Sequence, residues 1–475
     1  MAGDRKDELF EGLADQVGPD RGLSGRPRLR TAERRQVTLR PVSLEDLVER
    51  DHRVRLVWEF VEGLDLTALY EPIKAVEGRP GHPPADPRIL VALWLYATVE
   101  GVGSARELAR LCEDHIAFQW LCGGVGMNAK TLADFRVAHG AVLEQLLIDS
   151  FAGLLKTGVA RLDRVAQDGV RVRASAGAAS FRRHSTLEDC QNEAAEAVRR
   201  LRAEAEADPG AISRRRAAAR QRATADRERR VKAALAVTAA LRADQEERAR
   251  RRAERAFRES KKRAAATAQT EPQTEPAPPA QAEPPPPEKE PRASTTDAEA
   301  RVMKMADGGF RPAYNVQFAS DTLSGAVAGV AVDNIGSDMG KMAPMSDTLA
   351  DHYGERPGAH LADGGYAKLD DLEYLAAAGV VAYVPVPMPR DKNRDRHAAQ
   401  PDDPPAIAEW RQRMGSATAK TIYKQRAATA ECVHAQARNR GLTQFVVRGV
   451  DKVRTIAIWH ALTHNMFCTW RLKPA

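Results

Sequence analysis

The sequence lacks the motifs of several common protein classes. No GxxxxGK[ST] segment is present, which excludes a P-loop nucleotide site. Five cysteines are scattered along 475 residues without a CxxC pair or a Cys/His zinc spacing, so we expect free thiols in a reducing cytosol. No apolar run approaches the length of a membrane span, and the first residues contain no signal-peptide core. These absences predict a soluble intracellular protein.

Charge of either sign is abundant, and the excess of one sign is small. Lys and Arg number 72 against 65 Asp and Glu, which gives a net charge of +7. Arginine is the clustered cation, and its guanidinium group binds phosphate through two parallel hydrogen bonds. A phosphate-binding surface is one interpretation. The other is the arginine bias of a GC-rich genome, which the heavy use of Ala, Arg, Gly and Pro also indicates.

Composition and periodicity divide the chain into five segments, in keeping with a length that exceeds one core. They are a basic flexible arm at residues 1–35, an all-α domain at 36–158, an α/β domain formed by 159–186 and 294–470, a charged helical insertion at 187–268, and a Pro-rich linker at 269–293. The fold class is therefore α/β, with a helical N-terminal domain and a long helical insertion.

Helix signals are strong in the N-terminal domain. Pro87 is expected to open a buried central helix, and Ser104 with Glu107 forms a capping box. Thr131 and Asp134 are expected to cap the helix that follows the turn at CGGVG. Residues 104–138 suit a DNA-reading helix-turn-helix or a purely structural bundle, and both interpretations stay open.

The insertion is predicted to be a helical hairpin that turns near Pro209 and Gly210. Its apolar seam is mostly alanine, which argues against a strong coiled coil. Its many charges indicate either a solvated surface or a contact with nucleic acid.

Three carboxylates in the α/β domain carry the functional argument. Asp168 and Asp363 stand at the ends of strand-like runs, and Glu431 lies in a segment predicted to be helical from residue 406 to 439. With the insertion removed, the pattern predicts a mixed sheet. Its outer three antiparallel strands include Asp168, and the next strand carries Asp363 beside it.

Two aspartates and a glutamate that converge at strand ends are able to hold a pair of Mg²⁺ ions, which supports phosphodiester chemistry. Gly169, Gly364 and Gly365 are expected to let the backbone turn sharply after each aspartate and to let DNA approach.

Side chains around Glu431 are candidates for binding phosphate. On an ideal helix Arg438 lies about 20° from Glu431 and Tyr423 about 80° away. Arg426 is expected to lie off to the side. A glutamate on a helix is most often only exposed to solvent, so the assignment of Glu431 to the site depends on the other two carboxylates.

Five segments, in this order, resemble a bacterial insertion-sequence transposase of the DDE type with an InsH-like N-terminal domain and an RNase H-like catalytic domain. They are TLADFRVAHG (131–140), DGVRVRASA (168–176), ADGGY (362–366), YKQRAATAECVHAQARNRGL (423–442) and FVVRGVDKVRTIAIWHALTHNM (445–466). The resemblance covers roughly residues 35–185 and 294–470, and the large insertion departs from it.

The resemblance implies a catalytic and metal-binding triad of Asp168, Asp363 and Glu431, with Tyr423, Arg426 and Arg438 contacting DNA or phosphate. It implies two Mg²⁺ ions, for which Mn²⁺ substitutes. It further implies binding of double-stranded DNA at the terminal inverted repeats of an element, cleavage there, and transfer of 3′-hydroxyl ends to target DNA. A homodimer that acts at the bacterial nucleoid, without a membrane, is expected to bring two ends together.

Three alternatives remain at this point. The chain could be an inactive transposase-derived DNA-binding protein, a scaffold built on residues 187–268, or a generic RNase H-like nuclease. His434 and His464 lie on predicted helices without Cys or His partners at ligand spacing, which favours packing or phosphate contact over zinc.

Overall fold

The computed structural model describes residues 42–78, 81–207, 214–268, 290–389 and 393–472. The predicted basic arm lies outside these ranges, as do most of the predicted linker and the predicted turn at Pro209 and Gly210. Among the described residues, no helix is both long enough and apolar enough to cross a membrane. The contacts reported below all lie within residues 44–472.

The described N-terminal part contains seven α-helices: α1 Arg53–Glu62, α2 Thr67–Tyr70, α3 Pro87–Val99, α4 Ala105–Asp114, α5 Ile116–Cys122, α6 Ala129–Ala138 and α7 Gly140–Lys156. α3 begins with Pro87, as predicted, and the Asp86 carboxylate accepts a hydrogen bond from the backbone N–H of Arg88 (2.8 Å). The Ser104 hydroxyl accepts one from the backbone N–H of Glu107 (3.3 Å), which is one half of the predicted capping box, while the Glu107 carboxylate bonds to Arg110.

The caps predicted at Thr131 and Asp134 are wrong. α6 starts earlier, because the side chain of Asn128 accepts a hydrogen bond from the backbone N–H of Thr131 (2.9 Å) and so caps the helix itself. The helix predicted to run on from Thr131 is also two helices, since the backbone leaves the helical conformation at His139 between α6 and α7.

A six-stranded mixed sheet forms the centre of the α/β part. Its strands are β1 Arg164–Arg173, β4 Arg301–Lys304, β5 Phe310–Asp321, β6 Val327–Asp333, β7 Ala359–Leu361 and β8 Val381–Tyr383. β1 pairs antiparallel with β5 and parallel with β7, and β7 pairs parallel with β8. β4 and β6 both pair antiparallel with β5. The predicted sheet is confirmed, including the strand that precedes Asp363 beside the one that carries Asp168.

β1 does not end at Asp168. It continues through Gly169 to Arg173, and Asp168 pairs with Phe318 of β5 in mid-strand. The expectation that Gly169 breaks the strand and turns the backbone is therefore wrong, because cross-strand hydrogen bonding to β5 outweighs the weak local preference of one glycine.

The segment predicted as helix from residue 406 to 439 is interrupted twice. It consists of α12 Pro405–Gly415, α13 Ala417–Arg426, a π-helical turn Ala427–Glu431, and α14 Cys432–Asn439. The first break is at Ser416, whose hydroxyl caps α13 by accepting from the backbone N–H of Ala419 (3.1 Å). Two further helices, α10 Met342–Tyr353 and α11 Leu369–Ala377, pack beside the sheet.

The last helix, α15 Val450–Leu472, joins the N-terminal helices to the sheet. The buried Trp459 donates from its indole N–H to the backbone carbonyl of Arg136 in α6 (3.0 Å). Asn465 accepts from the backbone N–H of Val327 (2.7 Å) and donates to its carbonyl (2.9 Å). One hydrophobic core thus includes residues of α1, α3 to α7, β5 and α15. The predicted boundary at residue 158 stays a prediction.

The predicted insertion is a helical hairpin of α8 His184–Ala207 and α9 Arg214–Ala268. A two-stranded ribbon, β2 Phe181–Arg182 with β3 Ala293–Ser294, brings together the chain segments that enter and leave it. The buried seam between the two helices includes Leu187, Ala194, Val231 and Thr238. We refer to α8 and α9 as the insertion, and to α1 to α7, the six-stranded sheet and α10 to α15 as the body.

Candidate active site

Asp168 lies in the middle of β1 and is mostly buried, with 18 % of its side chain exposed. One carboxylate oxygen accepts a hydrogen bond from the backbone N–H of Gly169 (2.9 Å). The other lies 3.3 Å from the Arg426 guanidinium and 3.8 Å from Nε2 of His434. The carboxylate is thus held at the sheet surface by groups from the helical segment that crosses it.

The surroundings of Asp168 disfavour its negative charge. Burial raises the pKa of Asp168 to about 6, against the opposing effects of Arg426 and the Gly169 N–H. The charges of Asp363 and Asp338 raise the pKa further. A carboxylate that is desolvated and close to other carboxylates gains most from a cation, because the cation offsets both effects.

Asp363 follows the neighbouring strand β7, which ends at Leu361, and its charge acts on Asp168. β1 and β7 are parallel, with Ala166 opposite Leu361, so Asp168 and Asp363 each come two residues after this last pair. The Asp363 carboxylate accepts a hydrogen bond from the backbone N–H of Gly365 (2.7 Å). A Cβ on Gly365 would lie 2.9 Å from that oxygen, so glycine leaves the space that the carboxylate occupies.

Glu431 reaches the site from the π-helical turn Ala427–Glu431. A π-helix bonds residue i to i+5, so Arg426 and Glu431 are expected to be closer in angle than the about 140° of an ideal α-helix. The expected sideways position of Arg426 stays a prediction. Glu431 is exposed and lines the cleft above Asp168.

Arg426 and Tyr423 form a chain of contacts that ends on Asp168. The Arg426 guanidinium lies 3.3 Å from the Tyr423 hydroxyl and stacks within 6.0 Å of its ring. Tyr423 in turn packs against a core cluster that includes Trp410. The guanidinium is therefore fixed from behind and directed at the carboxylate.

A cleft of about 480 Å³ opens over the outer half of β1. Asp168, Glu431 and His434 form one wall, and Arg171, Arg173, Arg311 and Arg438 also line it. Glu431 and Arg438 both face this cleft, which agrees with their predicted position on one side of a helix. Acidic groups with arginines around them suit a phosphate diester whose reacting bond lies at the carboxylates.

A layer of buried polar side chains supports β1 on the face opposite to Asp168. A Cβ on Gly169 would lie 2.5 Å from the Asp338 carboxylate and 2.8 Å from the Asn315 amide. Asp338 accepts hydrogen bonds from the amides of Asn315 and Gln317, each at 2.7 Å, and Gln317 accepts one from Tyr366. Gly169 is thus required by a close approach of this layer and not by a turn.

Two family models match the chain. The model described as "Transposase domain (DUF772)" matches residues 42–138, and the model described as "Transposase DDE domain" matches residues 280–466. Together they span more than half of the 475 residues, in the order that the sequence predicted. The chain belongs to the DDE transposases. No curated protein and no solved structure matches it.

The transposase is a DNA-cleaving, strand-transferring enzyme by family, and its mixed sheet is RNase H-like. The second match includes Asp363 and Glu431 but begins after Asp168. Asp168 is therefore linked to the matched region through the structure: β1 lies outside the match and pairs parallel with β7, which lies inside it.

DDE transposase domains use divalent metal ions, and the donors present suit them. Carboxylate oxygens are the ligands that Mg²⁺ prefers, and Asp168 is desolvated next to a second carboxylate. Among the described residues, no three side chains of His, Cys, Asp or Glu are close enough to bind one ion together. Asp168, Asp363 near it and Glu431 in the same cleft are the residues that would hold the metal.

Two contacts near the site have no signal in the sequence. Asp338 follows β6 in a loop and meets β1 only in three dimensions, so no local pattern could reveal it. The packing predicted for His434 agrees with its burial against Phe318, but its closeness to Asp168 was not predicted.

Proposed function

We propose that this transposase binds the terminal inverted repeats of its own element, cleaves the DNA there, and joins the 3′-hydroxyl ends to target DNA. The reacting groups in this proposal are Asp168, Asp363 and Glu431, with two Mg²⁺ ions for which Mn²⁺ substitutes. The observation that carries it is that Asp168 and Asp363 each come two residues after the last pair of the parallel strands β1 and β7, with Glu431 and Asp168 lining one cleft.

The three carboxylates differ in burial and in how firmly their neighbours hold them. Asp168 is buried, and Arg426 keeps its pKa from rising further, so the group stays largely ionised at neutral pH. Asp363 is fixed by the Gly365 N–H, whereas Glu431 is exposed and free to adjust to a substrate. When bound, a pair of divalent ions activates water or a 3′-hydroxyl and stabilises the leaving oxygen of an in-line displacement. No covalent protein intermediate is required.

The arginines of the cleft are proposed to bind the phosphates on both sides of the reacting bond. Arg438 is exposed on α14, and Arg173 and Arg311 come from paired strands at the other wall. Arg426 and Tyr423 have a different place in the proposal, because Arg426 contacts Asp168 directly and Tyr423 fixes Arg426. Arg426 and Tyr423 are therefore proposed to hold the Asp168 carboxylate in place, and to affect the phosphate through that carboxylate.

Transposition joins two element ends, so we further propose a homodimer on DNA at the nucleoid in the bacterial cytoplasm. The dimer is inferred from the reaction and not from a surface of the chain.

The test uses full-length protein and supercoiled DNA that carries the gene with its flanks, with and without Mg²⁺, and maps breaks by sequencing. Asp168→Asn is expected to reduce cleavage by more than about 100-fold while end binding is retained. Asp307→Asn is the matched control, because it also removes a negative charge from the cleft lining, at a residue whose partners among the described residues are Arg311 and the backbone N–H of Gly309.

Metal-dependent 3′-hydroxyl ends at flanking inverted repeats, lost in Asp168→Asn and kept in Asp307→Asn, would support the proposal. Specific binding without cleavage by the wild type would favour an inactive transposase-derived DNA-binding protein. Cleavage without joining to target DNA would favour a generic RNase H-like nuclease. Equal loss of cleavage and end binding in Asp168→Asn would overturn the assignment of Asp168 to metal.

A further inference from the structure

His434 is a buried histidine without a hydrogen-bond partner of normal geometry. Only 4 % of the residue is exposed, and neither ring nitrogen bonds to any part of the chain that the structure describes. In its neutral form an imidazole ring offers one nitrogen lone pair. A buried polar group without a hydrogen-bond partner is destabilising, which indicates a missing partner.

The place of His434 shows what kind of partner would fit. Its Nε2 lies 3.8 Å from the Asp168 carboxylate, and its ring packs 5.7 Å from the ring of Phe318. Glu431 precedes it by three residues, and all of Asp168, Glu431 and His434 line the same cleft. A Glu-x-x-His pair on one helix face is an arrangement by which helical proteins present two metal ligands.

The distance of 3.8 Å between Nε2 of His434 and the Asp168 carboxylate distinguishes a hydrogen bond from a shared metal ion. It is too long for a hydrogen bond between a ring nitrogen and a carboxylate oxygen. It is short enough for two donors of one ion, because donors that each bind a metal at about 2.0–2.2 Å lie at most about 4.4 Å apart. Among the described residues, Asp168, Glu431 and His434 are not close enough together to bind one ion as a group of three. The inference therefore concerns the pair of His434 and Asp168.

We propose that His434 supplies a nitrogen ligand to the divalent ion held by Asp168, and that this ligand favours Mn²⁺ over Mg²⁺. The inference rests on the proposed function, since it assumes that Asp168 binds metal. Imidazole is a softer donor than a carboxylate or water. It therefore favours first-row transition ions, whereas Mg²⁺ retains oxygen ligands.

The test measures metal binding and not activity. Full-length protein is loaded with Mn²⁺, and pulsed electron paramagnetic resonance records the coupling of the ion to nitrogen. Titration calorimetry gives the Mn²⁺ and Mg²⁺ affinities of the same samples. The wild type is expected to show nitrogen coupling, and His434→Phe is expected to lose it. His434→Phe should weaken Mn²⁺ binding by at least about tenfold and Mg²⁺ binding by clearly less.

His460→Phe is the matched control. His460 is also buried and also has a ring nitrogen without a partner in the described part of the chain, but it lies on α15 and does not line the cleft. It should keep both the coupling and the preference for Mn²⁺. His434→Asn separates ligation from packing, because it should lose the nitrogen coupling even if His434→Phe failed to fold.

The Mn²⁺-binding results distinguish a failure of the inference about His434 from a failure of the proposed function. Mn²⁺ binding that is abolished by Asp168→Asn but shows no nitrogen coupling in the wild type would overturn the role of His434 alone. Mn²⁺ binding that is unchanged in Asp168→Asn, or no binding by the wild type, would overturn both.

Discussion

The body and the insertion are both largely helical, but different interactions stabilise them. In the body, large side chains such as Trp459, Phe118 and Phe318 are buried in one core that joins residues far apart in the chain. In the insertion, the buried cluster is small and rich in alanine, and most charged contacts along α9 join residues three or four positions apart.

This difference has a consequence for function. Long-range packing holds β1, β7 and the segment 426–434 in one arrangement, which a site made of three distant segments requires. The insertion is joined to the body at the ribbon of β2 and β3 and by ion pairs of Arg183 and Arg242 with Glu290. We therefore expect changes in the insertion to leave the site intact, and changes in the body to affect both stability and site.

The largest effect is expected from Trp459→Ala in α15. The change removes a buried indole and its hydrogen bond to the Arg136 carbonyl, at the contact between α15 and α6. Such a truncation costs about 3–5 kcal/mol of unfolding free energy. Urea unfolding followed by circular dichroism measures it, with the partly exposed Trp470 changed to Ala as the control. A cost below about 1 kcal/mol would show that the body lacks a shared core.

A smaller effect of opposite sign is expected from Asp168→Asn. The pKa of Asp168 is about 6 in the folded chain against an ordinary value of 3.8. Between these values the folded state binds more protons than the unfolded state, so stability of the wild type falls as pH rises from about 4 to about 6 and stays lower above it.

Without metal, Asp168→Asn should thus stabilise the protein above pH 6 by at most about 3 kcal/mol, and this gain should vanish below about pH 4. Unfolding at pH 4, 6 and 8 measures the difference. Asp307→Asn is the control and should bring no gain, because hydrogen bonds from the Gly309 backbone and Arg311 lower the pKa of Asp307. A gain at pH 8 that persisted at pH 4 would refute the linkage to ionisation.

The smallest effect is expected in the insertion. Glu247→Gln removes an exposed ion pair with Arg251 on α9. Exposed pairs at this spacing are worth less than about 0.5 kcal/mol, so the unfolding midpoint and the DNA cleavage rate should both stay unchanged. The double variant Glu247→Gln with Arg251→Gln is the control for net charge. A loss above 1 kcal/mol would mean that α9 contributes to the body in a way that its local contacts do not explain.

Much of the fold was predictable because its determinants are local. The mixed sheet with three outer antiparallel strands, Pro87 at the start of α3 and the alanine-rich seam of the insertion are visible in the sequence, and the structure confirms them. The start of α6 was not predictable from Thr131, since Asn128 was an equally good cap one turn earlier. The three carboxylates were found by pattern and by resemblance, and their roles remain a proposal.

The sequence by itself determined the order of helices and strands, the family of the chain and the identity of its three candidate carboxylates, because these follow from residue types at short spacing. Only the tertiary structure decided that β1 continues through Asp168, that a π-helical turn brings Arg426 onto that carboxylate, that His434 lies beside it, and that Asp338 lies on the other face of β1. Those contacts depend on pairing between strands and on one extra residue in a helical turn. Neither feature has a local pattern, because each arises where segments far apart in the chain pack together.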